Sequence, residues 1–266
     1  MTSLKLGLKL GSPPGPALIK EGGEFASAKG ASKIKELCFF DMDRTLIAGN
    51  SGVSFMRYSL RRKKTTRWKV FKSMLDYWRY RFDLLDMKKA YKDSLRPLIG
   101  VREEEMVQFC REWFEEVVRD LIYPEARDLV RRHMEQGASV AIISNSTTYN
   151  VKPLAEHLGV PHVLATQLEV HAGLFTGSYI EPLCFRHGKI FWADRLARQL
   201  GVDLEDSTFY TDSITDLPLL ERVKYPRIVN ADPRLRALAR KRGWPVQDFI
   251  GRDKLRQGDG QGRSDG

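Results

Sequence analysis

Cysteine is scarce in this chain of 266 residues: Cys38, Cys110 and Cys184 are three, widely spaced, with no Cys-x-x-Cys pair. That excludes a disulfide framework and a zinc knuckle. The five histidines lack a His-Glu-x-x-His spacing and read as helix-surface or loop residues. No apolar run approaches the roughly 18 to 20 residues that a membrane span needs. Gly and Pro interrupt the opening MTSLKLGLKLGSPPGPALIKEGGEF, so no signal-peptide core is expected there and a cytoplasmic location is the default. Acid is in short supply too, and unevenly so. Between Arg57 and Arg96 there are 14 Lys and Arg against 4 Asp, which equals the whole +10 excess of the chain. With 42% hydrophobic and 29% charged residues, the remainder is ordinary for a soluble protein of one large or two modest domains.

What is present centres on Glu36 to Leu46, ELCFFDMDRTL. Leu37, Cys38, Phe39 and Phe40 form an unbroken apolar run, which suits a strand buried on both faces of a parallel sheet. Asp41 and Asp43 follow at once. Carboxylates at the carboxyl end of such a strand stand where open α/β sheets place their ligands. Two of them are costly there unless something positive is shared between them. Hard Mg²⁺ answers that need, since it prefers carboxylate and carbonyl oxygens. An aspartate beside it can also attack phosphorus as a covalent nucleophile. The plainer alternative is a strand end with solvated aspartates.

Residues 1–35 are rich in Gly, Ser, Pro and Lys without periodicity and read as a disordered tail. Ala48 to Gly52 breaks the pattern and can hinge. From Val53 to about Ile122 the sequence is helical, with one apolar stripe at Trp68, Phe71, Leu75, Trp78, Phe82 and Leu85. A second runs through Met106, Phe109, Cys110, Trp113, Phe114 and Val117. An α/β pattern restarts at Tyr123, with a helix from Ala126 to Gln136 and a strand over 139–143. A helix from Tyr149 to His157 follows, then a hairpin within 168–180 and a helix from Gly188 to Leu200. Strands at 207–211 and 227–229, a helix at 233–242 and a strand at 245–249 complete it. This order implies an α/β fold: a Rossmann-like parallel sheet with helices on both faces, plus an inserted all-helical cap domain. The divisions are 36–50 and 123–250 for the core and 51–122 for the cap, with a second disordered tail at 251–266.

Asp41-Met42-Asp43-Arg44-Thr45-Leu46 resembles the nucleophile motif of the haloacid dehalogenase-like phosphohydrolases, in the phosphoserine-phosphatase-like branch. Later segments match in the expected order, so the resemblance spans about residues 36 to 250. It implies Asp41 as nucleophile, Asp43 as general acid and base, and Thr45 as a turn-holding support through a hydrogen bond. It further implies Ser144 and Asn145 with Lys189 as phosphate-binding residues. Mg²⁺ would be bound by Asp41, Asp43 and Asp212, with Asp216 orienting Lys189 or a metal-bound water. Arg44, Thr211 and Thr215 depart from the Gly, Gly and Asn common in the family, and Arg44 is assigned no role.

The expected activity is a Mg²⁺-dependent phosphomonoester hydrolase working through an aspartyl-phosphate, on a small-molecule or lipid-linked phosphate ester. Phosphoserine phosphatase itself is a second reading. A third is a non-catalytic module docking to an anionic membrane or polyanion. The run Arg61-Arg62-Lys63-Lys64-Thr65-Thr66-Arg67 would suit anionic headgroups, with Trp68 and Phe71 beside it, and would make the protein peripheral to the membrane. A solvated face is the plainer reading of that run, and no nucleic acid is expected, since neither a fold motif nor a stacking platform is apparent.

Overall fold

A computed structural model describes residues 36–63 and 87–250. The tails at 1–35 and 251–266, the stripe from Trp68 to Leu85 and residues 64–67 of the basic run lie outside the described residues. The described elements in chain order are β1 (Leu37–Phe40), α1 (Ser51–Arg61), α2 (Met87–Leu95), α3 (Glu103–Trp113), α4 (Pro124–Glu135) and β2 (Ser139–Thr147). Then come α5 (Thr148–Leu158), β3 (His162–Thr166), β4 (Leu168–His171), β5 (Leu174–Tyr179) and α6 (His187–Leu200). The last are β6 (Thr208–Thr211), α7 (Leu217–Leu220), β7 (Tyr225–Val229), α8 (Pro233–Arg242) and β8 (Val246–Gln247).

Six strands form one parallel sheet in the order β3-β2-β1-β6-β7-β8. Strand β1 is central, pairing Phe39 with Ala141 on one side and with Phe209 on the other. Its side chains alternate between two cores. Cys38 and Phe40 pack with Val130 and Leu154 from α4 and α5, while Leu37 and Phe39 pack with Trp192, Leu196 and Leu235 from α6 and α8. Each buried Leu or Phe contributes about 2 kcal/mol, which is how a four-residue strand can hold two acids at its end. The chain winds one way from β1 to β2 and β3, then crosses to β6 on the other side. The crevice of such a sheet opens at the carboxyl ends of the strands where the winding reverses, here β1 and β6.

The segments leading into and out of the insertion lie side by side. Ala48 N–H donates to the Leu121 carbonyl at 2.7 Å and Tyr123 N–H to the Leu46 carbonyl at 3.0 Å, with Ile47 bridging Ile122 antiparallel. Described parts of the insertion are helical, as the sequence implies, but they do not pack alone. The β4-β5 hairpin joins them: Gly100 N–H donates to the Phe175 carbonyl and Phe175 N–H to the Val101 carbonyl, both at 3.0 Å. Leu95, Cys110, Tyr149, Leu168 and Phe175 share a third core.

Local structure differs from the sequence reading at four places. The apolar stripe of α3 runs into a π-turn over Phe114–Val118, and the extra residue rotates Val118 into the core and leaves Val117 half-buried. Strand β2 runs on to Thr147 past an irregularity in its pairing with β3. Strand β3, His162–Thr166, had no periodic signal because only its last two residues are buried. Strand β8 is two residues long, an edge strand where 245–249 suggests five. Among the described residues, no helix is long and apolar enough to cross a membrane.

Candidate active site

Asp41 is the residue after β1 and Asp212 the residue after β6, so the sheet register sets both at the switch-point crevice. The Asp41 N–H donates to the Tyr210 carbonyl at 2.9 Å, which ties its main chain to β6. Lys189 arrives from the first turn of α6. Its Nζ donates to Asp41 Oδ1 at 2.6 Å and to Asp216 Oδ2 at 2.8 Å. Thr211 Oγ1 donates to the same Asp216 oxygen at 2.7 Å. Lys189 and Asp216 are each only 2% exposed. Asp216 thus accepts from both Lys189 and Thr211.

Gly188 is what lets that lysine in. A Cβ there would stand 1.8 Å from the Leu183 carbonyl oxygen, so the backbone itself would have to shift. Gly188→Ala is therefore expected to lower stability by about 1–3 kcal/mol, as overpacking does. It should reduce activity further by displacing Lys189. A denaturant midpoint equal to the parent's would contradict this packing.

Asp43 lies in the turn after β1 and is half-buried. Its Oδ1 accepts the Ser51 N–H at 2.8 Å. The turn itself is held by main-chain bonds, Leu46 N–H and Ile47 N–H to the Met42 carbonyl and Arg44 N–H to the Gly49 carbonyl. Thr45 does not play the part expected of it: its buried Oγ1 has no hydrogen-bond partner among the described residues. Backbone groups already satisfy the turn, leaving the hydroxyl nothing to hold. Arg44 has φ +53°, in the left-handed region, which explains why glycine suits that place. Its guanidinium, on a side chain 57% exposed, stands 3.9 Å from Asp212 Oδ2.

Ser144 is buried within β2 rather than at its end, and its Oγ accepts the Ser146 N–H at 3.2 Å. Asn145 is exposed, and its main-chain carbonyl accepts from Thr166 Oγ1 at 3.3 Å. Behind them Cys184 is fully buried; its N–H donates to Thr166 Oγ1, and the Ser144 N–H bonds to its thiol. Burial pushes that thiol up to about 12, so it stays neutral. Asp41, Lys189, Asp216 and Thr211 thus meet directly, while Ser144 and Asn145 are bonded to Ser146 and Thr166. Ser51, Thr211 and Cys184 were missed as site neighbours. Thr211 was legible from its place beside Asp212, but nothing local marks Ser51, eight residues beyond Asp43.

The electrostatics are those of a site short of positive charge. Burial, then the carboxylates of Asp216 and Asp43, push Asp41 up to about 7 despite Lys189. Burial, then Asp41 and Asp216, push Asp212 up to about 8. Burial also raises Asp43, against the hydrogen bonds from Ser51. Burial opposes the charge on Lys189, but Asp216 and Asp41 outweigh it and hold the ammonium protonated. Four carboxylates converge on one buried cation and one exposed guanidinium. Among the described residues no three His, Cys, Asp or Glu side chains stand ready to cage a metal by themselves. What is offered is a pair of strand-end carboxylates, Asp41 and Asp212, near enough for the first to raise the second. Such hard oxygens with surplus negative charge fit a divalent cation that keeps part of its water, as Mg²⁺ does.

Residues 38–221 match the family model of the haloacid dehalogenase-like hydrolases. A histidinol-phosphatase of Neisseria meningitidis serogroup C (strain 8013) is 32% identical over 221 residues, 81% of this chain and 100% of that protein. A phosphoserine phosphatase of Mycobacterium tuberculosis (strain ATCC 25618 / H37Rv) is 33% identical over 217 residues, 79% of this chain and 70% of that one. Among solved structures, a Bordetella pertussis Tohama I protein of unknown function superposes with TM-score 0.74 at 30% identity, covering 81% of this chain and 99% of that one. With a sheet, a strand-end aspartate and a lysine in this arrangement, the chain belongs to the haloacid dehalogenase-like hydrolases, in their phosphoserine-phosphatase-like branch, and is a phosphatase.

Proposed function

We propose that this phosphatase hydrolyses small-molecule or lipid-linked phosphate monoesters with Mg²⁺, through a phosphorylated Asp41. The observation that carries the reading is Lys189 held between Asp41 and Asp216 at 2.6 and 2.8 Å, buried at the crevice where the sheet reverses its winding. Lys189 occupies Asp41 Oδ1, which leaves the other oxygen to attack phosphorus. Its ammonium then lies beside the charge that the transferring phosphoryl group develops. Asp43 gives a proton to the leaving oxygen and later takes one from water. Ser144 and the main chain of Asn145 border the phosphate from β2. Asp41, Asp212 and the Asp43 carbonyl are the groups that would hold Mg²⁺. When bound, Mg²⁺ supplies Lewis-acid stabilisation of phosphoryl oxygens.

The insertion at 51–122 serves as a cap over the crevice, hinged where Ala48 to Gly52 and Ile122 to Pro124 run together, and completed by the β4-β5 hairpin. Substrate selection then lies on the cap, since closure excludes water and surrounds the part of the substrate beyond the phosphate. The relatives' names point to phosphorylated metabolites, and the 33% identity to a phosphoserine phosphatase makes phosphoserine the second reading. A docking module without turnover has no support beside family membership and the intact aspartate cluster. The membrane reading keeps only Arg61, Arg62 and Lys63 among the described residues, all exposed, and Arg62 is paired with Glu116. A phosphorylated-metabolite substrate is consistent with action in the cytoplasm.

The test is a panel of phosphorylated amino acids, amino alcohols, sugars and lysophospholipids with Mg²⁺. One alkyl phosphate should exceed the rest in kcat/KM by about tenfold or more, the discrimination a cap contact provides, and EDTA should stop all turnover. Turnover persisting undiminished in EDTA, or no phosphate released from any ester, would overturn the reading.

A further inference from the structure

Ser51 is the first residue of α1, the helix that opens the insertion, and it is 1% exposed. Its N–H donates to Asp43 Oδ1 at 2.8 Å, and its hydroxyl bonds to the same carboxyl. On its other side the hydroxyl lies 2.7 Å from Ser146 Oγ. Ser146 in turn donates its N–H to Ser144 Oγ at 3.2 Å. A continuous chain of hydrogen bonds therefore joins Asp43, Ser51, Ser146 and Ser144. It links the turn after β1, the first turn of α1 and the phosphate-facing stretch of β2.

We propose that Ser51 is a positioning residue that holds the Asp43 carboxyl in the orientation for proton transfer to the leaving oxygen, with Ser146 orienting the Ser51 hydroxyl. This rests on the acid and base role given to Asp43 above. An ordinary turn could leave the Asp43 carboxyl free to rotate about its last bond. Here the Ser51 N–H pins Oδ1 and the Ser51 hydroxyl bonds to the same carboxyl, so two contacts stop that rotation, and the hydroxyl is the one that Ser51→Ala removes. Ser146 has one hydroxyl proton to give, and giving it to Ser51 Oγ leaves the Ser51 proton for Asp43. The hydroxyl protons of Ser146 and Ser51 then both have acceptors, as buried polar groups require. Because the pin is the first turn of α1, the acid is aligned by the same helix that starts the insertion.

A merely structural serine and a positioning serine differ in leaving-group dependence. Protonation matters greatly for an alkoxide and little for a nitrophenolate, which departs without help. In Ser51→Ala, kcat/KM should fall about 10- to 100-fold on the best alkyl phosphate of the panel and less than about 3-fold on nitrophenyl phosphate. Ser146→Ala should show the same selectivity with a smaller loss. Equal losses on the two esters, or none, would overturn the proposal. Asp43→Asn is the control that separates the two readings, with phosphoryl transfer to Asp41 followed in a single turnover so that the later role of Asp43 toward water does not enter. If it too spares nitrophenyl phosphate while Ser51→Ala does not, the positioning role fails alone. If Asp43→Asn loses both esters equally, the acid role fails and the proposal falls with it.

Discussion

Asp41→Asn will remove turnover, by a factor on the order of 10⁴ or more, while the protein remains folded. The amide keeps the size and one carbonyl oxygen of the carboxylate, so Lys189 still has an acceptor where it now donates to Asp41 Oδ1, and it keeps Asp216 at 2.8 Å. What it loses is the nucleophile. Stability should not suffer. Asp41 is 7% exposed among Asp43, Asp212 and Asp216, so removing its charge relieves like-charge repulsion, while Asp216 still balances Lys189. The metal-free variant is therefore expected to melt at or above the parent temperature. Activity near the parent level would remove Asp41 from its role. A collapsed melting temperature would mean that the aspartate is holding the fold instead.

The second large effect joins metal, pH and stability. Asp41 and Asp212 have folded values raised to about 7 and about 8. A carboxyl raised in the folded state favours folding below its unfolded value, and that contribution is lost as pH rises through the folded one. The metal-free protein should accordingly lose thermal stability as pH rises from about 4 to about 8 and level off above that. Lys189 does not offset this, because its neighbours keep it charged throughout. A divalent cation among these oxygens binds the ionised form, so it competes with protons and binds more tightly at high pH. At a hundredfold excess over Kd it adds about 2.7 kcal/mol, a rise in Tm of roughly 5–10 °C for a domain of this size. The rise with Mg²⁺ should be large at about pH 9, small at about pH 6, and reversed by EDTA. The same shift at both pH values, or none, would contradict the carboxylate site.

Much of this was legible in sequence, for a physical reason. A central parallel strand must be apolar on both faces, so LCFF announced itself, and two acids directly after it have few uses in such a place. Lys189 was readable only through the family resemblance, since a lysine after Gly188 at a helix start is unremarkable by itself; the close approach to the Leu183 carbonyl is what makes that glycine necessary. The rest depended on contacts between distant segments. The β4-β5 hairpin was visible from its turn, but its pairing with Gly100 and Val101 was not. Strand β3 lies at the sheet edge with three of five residues half-buried, which leaves too little pattern. The π-turn at Phe114 has no residue signature and alters which valine faces inward. Ser51 escaped for the same reason: a serine at a helix start is an ordinary sight until Asp43 is placed beside it.

The central claim is a phosphoryl group carried on Asp41, and rapid acid quench with radiolabelled substrate tests it most directly. Quenched within the first turnover and digested, the protein should yield its label on the peptide bearing Asp41, and Asp41→Asn should yield none. Phosphate released at the parent rate with no label ever found on the protein, or label on any other residue, would contradict the account.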